Sequence, residues 1–96
     1  VLKVHFENIY NMKIGVEISM YPLTKDFEPL ILKFIEDLKI NGLRPQTNGM
    51  STQVFGEIDE VFDKIKSAVK TSMVAGKQVV FNFKVLNNPL PEDFKL

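Results

Sequence analysis

The side chains best suited to chemistry cluster in the run from Thr47 to Glu57, where Thr47, Asn48, Ser51, Thr52 and Gln53 stand close together. All are neutral donors and acceptors, with no acid, base or thiol among them. Such a set suits hydrogen bonding to an uncharged polar ring better than it suits bond breaking. A polar loop leading into an ordinary strand with one wet face would present the same residues. Contacts of this kind are mainly neutral, so added salt should change binding little.

Elsewhere the chemistry is sparse. The chain has no cysteine, which removes disulfides, thiolate metal sites and a Cys nucleophile together. Its single histidine, His5, cannot build a His-based zinc site within one chain. Glu17 would serve as a general base in a dry pocket, but a glutamate on a strand surface is the plainer reading. Asp59 and Glu60 fit a helix start, where capping and the helix dipole account for them. The sequence therefore offers neither catalytic residues nor metal ligands.

Twelve basic and twelve acidic residues cancel and are interspersed along the 96 positions. Nucleic acid attracts clustered Lys and Arg, and no such cluster exists here. No apolar run approaches the ~18 residues of a membrane span, so direct membrane insertion is not expected. The first ten residues mix charges with apolar side chains and lack a signal-peptide core, which points to the cytoplasm. A chain of this length buries roughly 60–65% of its unfolded surface, enough for one unstapled core.

The elements that must hold the polar run follow from periodicity. Ile14, Val16, Ile18 and Met20 alternate with Gly15, Glu17 and Ser19, the pattern of a half-buried strand that Tyr21-Pro22 ends. Thr24 or Asp26 can cap a helix in which Phe27, Leu30, Ile31, Phe34, Ile35 and Leu38 recur at helical spacing, with Gly42 at its close. A short segment, 43–46, leads into the polar run, which becomes a strand ending at Glu57. Asp59 caps a second helix with a stripe of Val61, Phe62, Ile65, Ala68, Val69 and Met73, and Gly76 sits at its C-terminal end. Residues 77–86 form the last strand.

That order predicts an α+β ferredoxin-like βαββαβ sandwich, a four-stranded antiparallel sheet with two helices on one face. The folded ligand-binding domain spans 12–86, with a C-terminal tail at 87–96. Residues 1–11 are an N-terminal extension: an expression remnant preceding a second start at Met12, an extended start, or an extra strand in which Leu2, Val4 and Phe6 alternate. In this topology the first and third strands are central, so Ser19 neighbours Ser51 and Gln53. The last strand lies at an edge with apolar residues on both faces, a surface normally covered by another subunit. A homotetramer or homodimer is expected, the tetramer preferred.

Several relatives of this fold have signatures that are missing. There is no Cys-x-x-Cys pair, no arginine-bearing phosphate loop after the first strand, and only Phe55 where an RNA-binding strand would be rich in aromatic residues. What remains matches one family. Glu17-Ile18-Ser19-Met20-Tyr21-Pro22-Leu23, Thr47-Asn48-Gly49-Met50-Ser51-Thr52 and Val54-Phe55-Gly56-Glu57-Ile58-Asp59-Glu60-Val61-Phe62-Asp63 resemble the YkoF-like thiamine and hydroxymethylpyrimidine binding family, over about 14–85.

The resemblance implies assembly through sheets and binding of the thiamine pyrimidine without turnover, thiamine or hydroxymethylpyrimidine being a ligand and not a cofactor. Some members carry two such domains in tandem, so a single domain would assemble from separate copies. A vitamin transporter is the partner a delivery protein of this kind would serve. The expected ligand cleft lies around Ser19, Tyr21, Thr47, Asn48, Ser51 and Thr52, with Tyr21 or Phe83 as a stacking face. The alternative is an oligomeric regulatory or structural domain that binds another small metabolite.

Overall fold

A computed structural model describes residues 12–75, 78–87 and 89. The alternation at Leu2, Val4 and Phe6, His5, the helix end at Gly76 and most of the tail lie outside the described residues. Four strands, β1 (Lys13–Pro22), β2 (Gln46–Thr47), β3 (Thr52–Glu57) and β4 (Val79–Asn87), alternate with two helices, α1 (Phe27–Ile40) and α2 (Ile58–Ala75). They form one antiparallel sheet in the order β2-β3-β1-β4, the ferredoxin-like arrangement, with both helices packed on one face.

The core lies between that face and the helices. Ile14, Val16 and Ile18 of β1 and Val54 of β3 are almost wholly buried against Phe34 and Leu38 of α1 and Val61, Ile65 and Ala68 of α2. Because side chains alternate along a strand, the intervening Gly15, Glu17 and Ser19 must project from the helix-free face. Gln53 pairs with Glu17 in register, and Lys84 pairs with Glu17 from the other side. Register alone thus sets three polar side chains in a row across the middle of the open sheet.

Several local details refine the sequence reading or depart from it. Tyr21 and Pro22 end β1 from within it, as its last two residues, paired with Val80 and Val79. At α1 the cap position belongs to Asp26, but its side chain makes no capping bond. Pro29 then falls in the first turn, where its missing N–H leaves nothing unpaired. The helix ends as a Schellman motif. Gly42 at φ 94° donates its N–H to the Lys39 carbonyl (2.9 Å), and Leu43 donates to that of Leu38 (3.0 Å).

α2 begins one residue before Asp59, so the cap is supplied by Glu57, whose carboxylate accepts the Asp59 N–H at 2.7 Å. At the other end the buried stripe runs through Ala68 and Ser72, and Met73 is half exposed. Mixed spacings of four, three and four residues track the 3.6-residue period and keep 61, 65, 68 and 72 on one face, and 73, about 100° further round than 72, turns toward solvent.

Candidate functional site

A cleft of about 450 Å³ opens on the helix-free face, lined by Glu17, Ser19, Tyr21, Met50, Ser51, Asn82, Phe83 and Lys84. That is within the usual size range of small-ligand sites, ~300–1,000 Å³. β1 supplies Glu17, Ser19 and Tyr21 at alternate positions. β4 supplies Asn82, opposite Ser19, and Lys84, opposite Glu17. The loop between β2 and β3 contributes Met50 and Ser51.

Asn48 gives that loop its shape. Its Oδ1 accepts the N–H groups of Met50 (2.8 Å) and Ser51 (3.1 Å), while its own N–H bonds the Ser51 carbonyl at 3.0 Å. An Asn side chain turning on its own backbone in this way substitutes for a tight turn and needs no glycine geometry. The result presents Ser51 to the floor of the cleft. Ser51 Oγ donates to Glu17 Oε2 at 2.9 Å and accepts from Gln53 Nε2 at 2.7 Å. Glu17 Oε1 lies 3.7 Å from Lys84 Nζ. Side chains from three strands are thereby joined into one polar line beneath the opening.

Of the residues expected around a ligand, Ser19, Tyr21 and Ser51 line this cleft. Asn48 stands behind it as the support of the loop. Thr47 and Thr52 face each other across β2 and β3, their hydroxyls 2.8 Å apart, and Thr52 is buried on the side facing the helices. The rings of Phe83 and Phe81 stack with centroids 5.9 Å apart, and Phe81 in turn meets Phe34 at 5.0 Å.

Sequence reasoning passed over the charges. Glu17, read as a surface glutamate, sits at the centre of the cleft with Lys84 beside it, so the site is not composed of neutral groups. The alternation of β1 had put Glu17 on the same face as Ser19. Its partners become visible only through the pairing of β1 with β3, which brings Ser51, and with β4, which brings Lys84. Asn82, opposite Ser19, was missed for the same reason.

A smaller hollow of about 270 Å³ adjoins the cleft and shares Glu17 and Lys84 with it. Here the Phe55 ring lies across Gly15: a Cβ at that glycine would stand 2.9 Å from Phe55 Cε1. An aromatic ring covering a cross-strand glycine supplies the side-chain contact that the glycine lacks.

Among the described residues no group of three or more His, Cys, Asp or Glu could hold a metal ion, and no helix is long and apolar enough to cross a membrane.

Comparison with known proteins fits this architecture. The UPF0045 protein of Methanocaldococcus jannaschii is 32% identical over 79 residues, covering 80% of this chain and 79% of the archaeal one. A Bacillus cereus structure described as a domain of unknown function superposes with a TM-score of 0.70 at 28% identity, over 85% of this chain and 82% of its own. A candidate thiamine biosynthesis or salvage protein of Thermotoga maritima shares the fold with a TM-score of 0.69 at 24% identity, over 76% of this chain and 81% of its own. The model of the YKOF-related family matches residues 13–89. That family is associated with binding or salvage of thiamine or its pyrimidine. The matched stretch takes in every strand and both helices described above, and the chain belongs to the YKOF-related family.

Proposed function

We propose that this protein binds thiamine or its hydroxymethylpyrimidine part without transforming it, for delivery or sensing. The observation that carries the reading is the hydrogen-bonded line of Gln53, Ser51 and Glu17, of which Ser51 and Glu17 line the cleft beside Ser19 and Asn82. An aminopyrimidine presents a flat edge of donors and acceptors, and these side chains offer both. Tyr21, half exposed at the rim, supplies an aromatic face for the ring or for the thiazolium cation. Ser19, Tyr21 and Ser51 are the contacts proposed, with Asn48, Thr47 and Thr52 holding the loop that carries Ser51. The domain at 12–86 is the binding unit, in a cytoplasmic protein whose delivery partner would be a vitamin transporter.

The reading includes an oligomer, a tetramer in preference to a dimer. Among the described residues β4 has a neighbour strand on one side only, yet Val80, Phe83, Val85 and Leu86 are each about half exposed on its two faces. An edge of that length and character invites a second strand.

Titration calorimetry with thiamine, its phosphates and hydroxymethylpyrimidine tests the binding. Heat with thiamine or the pyrimidine supports it. No heat with any of them leaves the apolar β4 edge as the dominant feature and favours an oligomeric regulatory domain for a different metabolite.

A further inference from the structure

The cleft has one ionised acceptor at its centre. Glu17 lies on β1, a central strand, with its side chain about two-fifths exposed, and both hollows of the open face meet at it. Its carboxylate can only accept hydrogen bonds. Ser51 has its single proton directed at Glu17 and one lone pair occupied by Gln53, so toward the cleft it too offers only an acceptor. The middle of the site therefore calls for a positive charge.

In this structure that charge is Lys84, and it is held loosely. Its Nζ stays 3.7 Å from Glu17 Oε1 on a side chain 86% exposed, whereas Lys64 in the exposed pair on α2 approaches Glu60 to 2.6 Å. A flexible, strongly hydrated ammonium at that distance gains little from the pair and leaves it easily.

Resting on the thiamine reading above, we propose that the site selects ligands bearing a cationic ring, and that Lys84 is a built-in competitor which the ligand displaces from Glu17. The cation then takes the position opposite the carboxylate, with Tyr21 at its side. Lys84 turns outward into water. Glu17 is accordingly the residue that separates thiamine, which carries the thiazolium charge, from the neutral hydroxymethylpyrimidine.

The test uses the full chain in titration calorimetry with three probes: thiamine, hydroxymethylpyrimidine, and the N-alkylated hydroxyethyl-methylthiazolium cation alone. Circular dichroism confirms that Glu17→Gln and Lys84→Met keep the fold. Removing the charge at Glu17 should lower the ratio of thiamine to hydroxymethylpyrimidine affinity by about tenfold or more, the order expected when a carboxylate facing a cation in a partly screened cleft is neutralised. Lys84→Met should tighten thiamine binding by roughly two- to fivefold, the worth of an exposed pair. A structural ion pair would not give that gain.

If thiamine binds the wild type and neither variant changes the ratio or the affinity, the competitor mechanism is overturned and the thiamine reading stands. If only the thiazolium probe binds, and Glu17→Gln weakens it, the charge selection stands and the pyrimidine reading falls. Absence of binding by all three overturns both.

Discussion

Ser51 has one hydroxyl proton, and the structure directs it at Glu17. Removing that hydroxyl leaves a carboxylate oxygen and the Gln53 amide short of a partner on the cleft floor. Loss of such a bond costs about 1–3 kcal/mol. Ser51→Ala is therefore expected to weaken thiamine binding roughly five- to a hundredfold, read by calorimetry. Asn48→Ala should act in the same direction by a different route, because it removes two bonds that hold the loop carrying Met50 and Ser51 while every side chain lining the cleft keeps its chemistry. The comparison that separates contact from support is Thr52→Val. Its hydroxyl bonds Thr47 on the helix-facing side, so the variant should lose about 1 kcal/mol of stability in urea unfolding. Its affinity for thiamine should change less than that of Ser51→Ala. With a carboxylate at the centre of the site, binding of a cation should also weaken as salt is raised, in contrast to the expectation for wholly neutral contacts.

At the scale of elements, Gly42 and Leu38 share one device. Leu38 is fully buried, and its carbonyl receives the Leu43 N–H because Gly42 turns the chain back at φ 94°. Leu38→Ala should destabilise the fold by about 2–5 kcal/mol. Gly42→Ala should cost about 1–2 kcal/mol from the left-handed backbone, both measured by denaturant unfolding with thiamine affinity unchanged. On α2, the hydrogen bond from Lys64 holds the Glu60 carboxyl below its ordinary range, and the lysine's charge adds to this. A lowered carboxyl contributes stability above its unfolded pKa and loses it as pH falls, but the exposure of the Glu60 carboxylate to solvent keeps this contribution small. These elements were largely legible in the chain. Alternation at Ile14 to Met20 and the stripe from Leu30 to Leu38 specify a strand and a helix through local spacing. Glu57 as the cap of α2 was not legible, because it is a long carboxylate reaching past its own strand end where a shorter Asp stood two residues on. The pairing of Glu17 with Lys84 was hidden for a deeper reason. They are brought together by the register of β1 and β4, and no spacing along the sequence reports a register across the sheet.

For the whole molecule, the decisive measurement is mass in solution. Light scattering should give well above 11.0 kDa for the wild type. Val85→Lys, which places a charge on the half-exposed side of the edge strand, should shift the mass toward the monomer. A monomeric wild type would leave the apolar β4 edge without a partner. The position of that edge has a further consequence. Asn82 and Lys84 belong at once to the last strand of the sheet and to the wall of the cleft. Any strand laid along β4 would lie beside the bound ligand, so assembly and occupancy would be thermodynamically linked, each changing the other's equilibrium constant by the same factor. Thiamine titrations at several protein concentrations would then give different apparent affinities, and added vitamin would shift the dissociation midpoint of the oligomer. A vitamin concentration could in this way be read out as a change in quaternary structure.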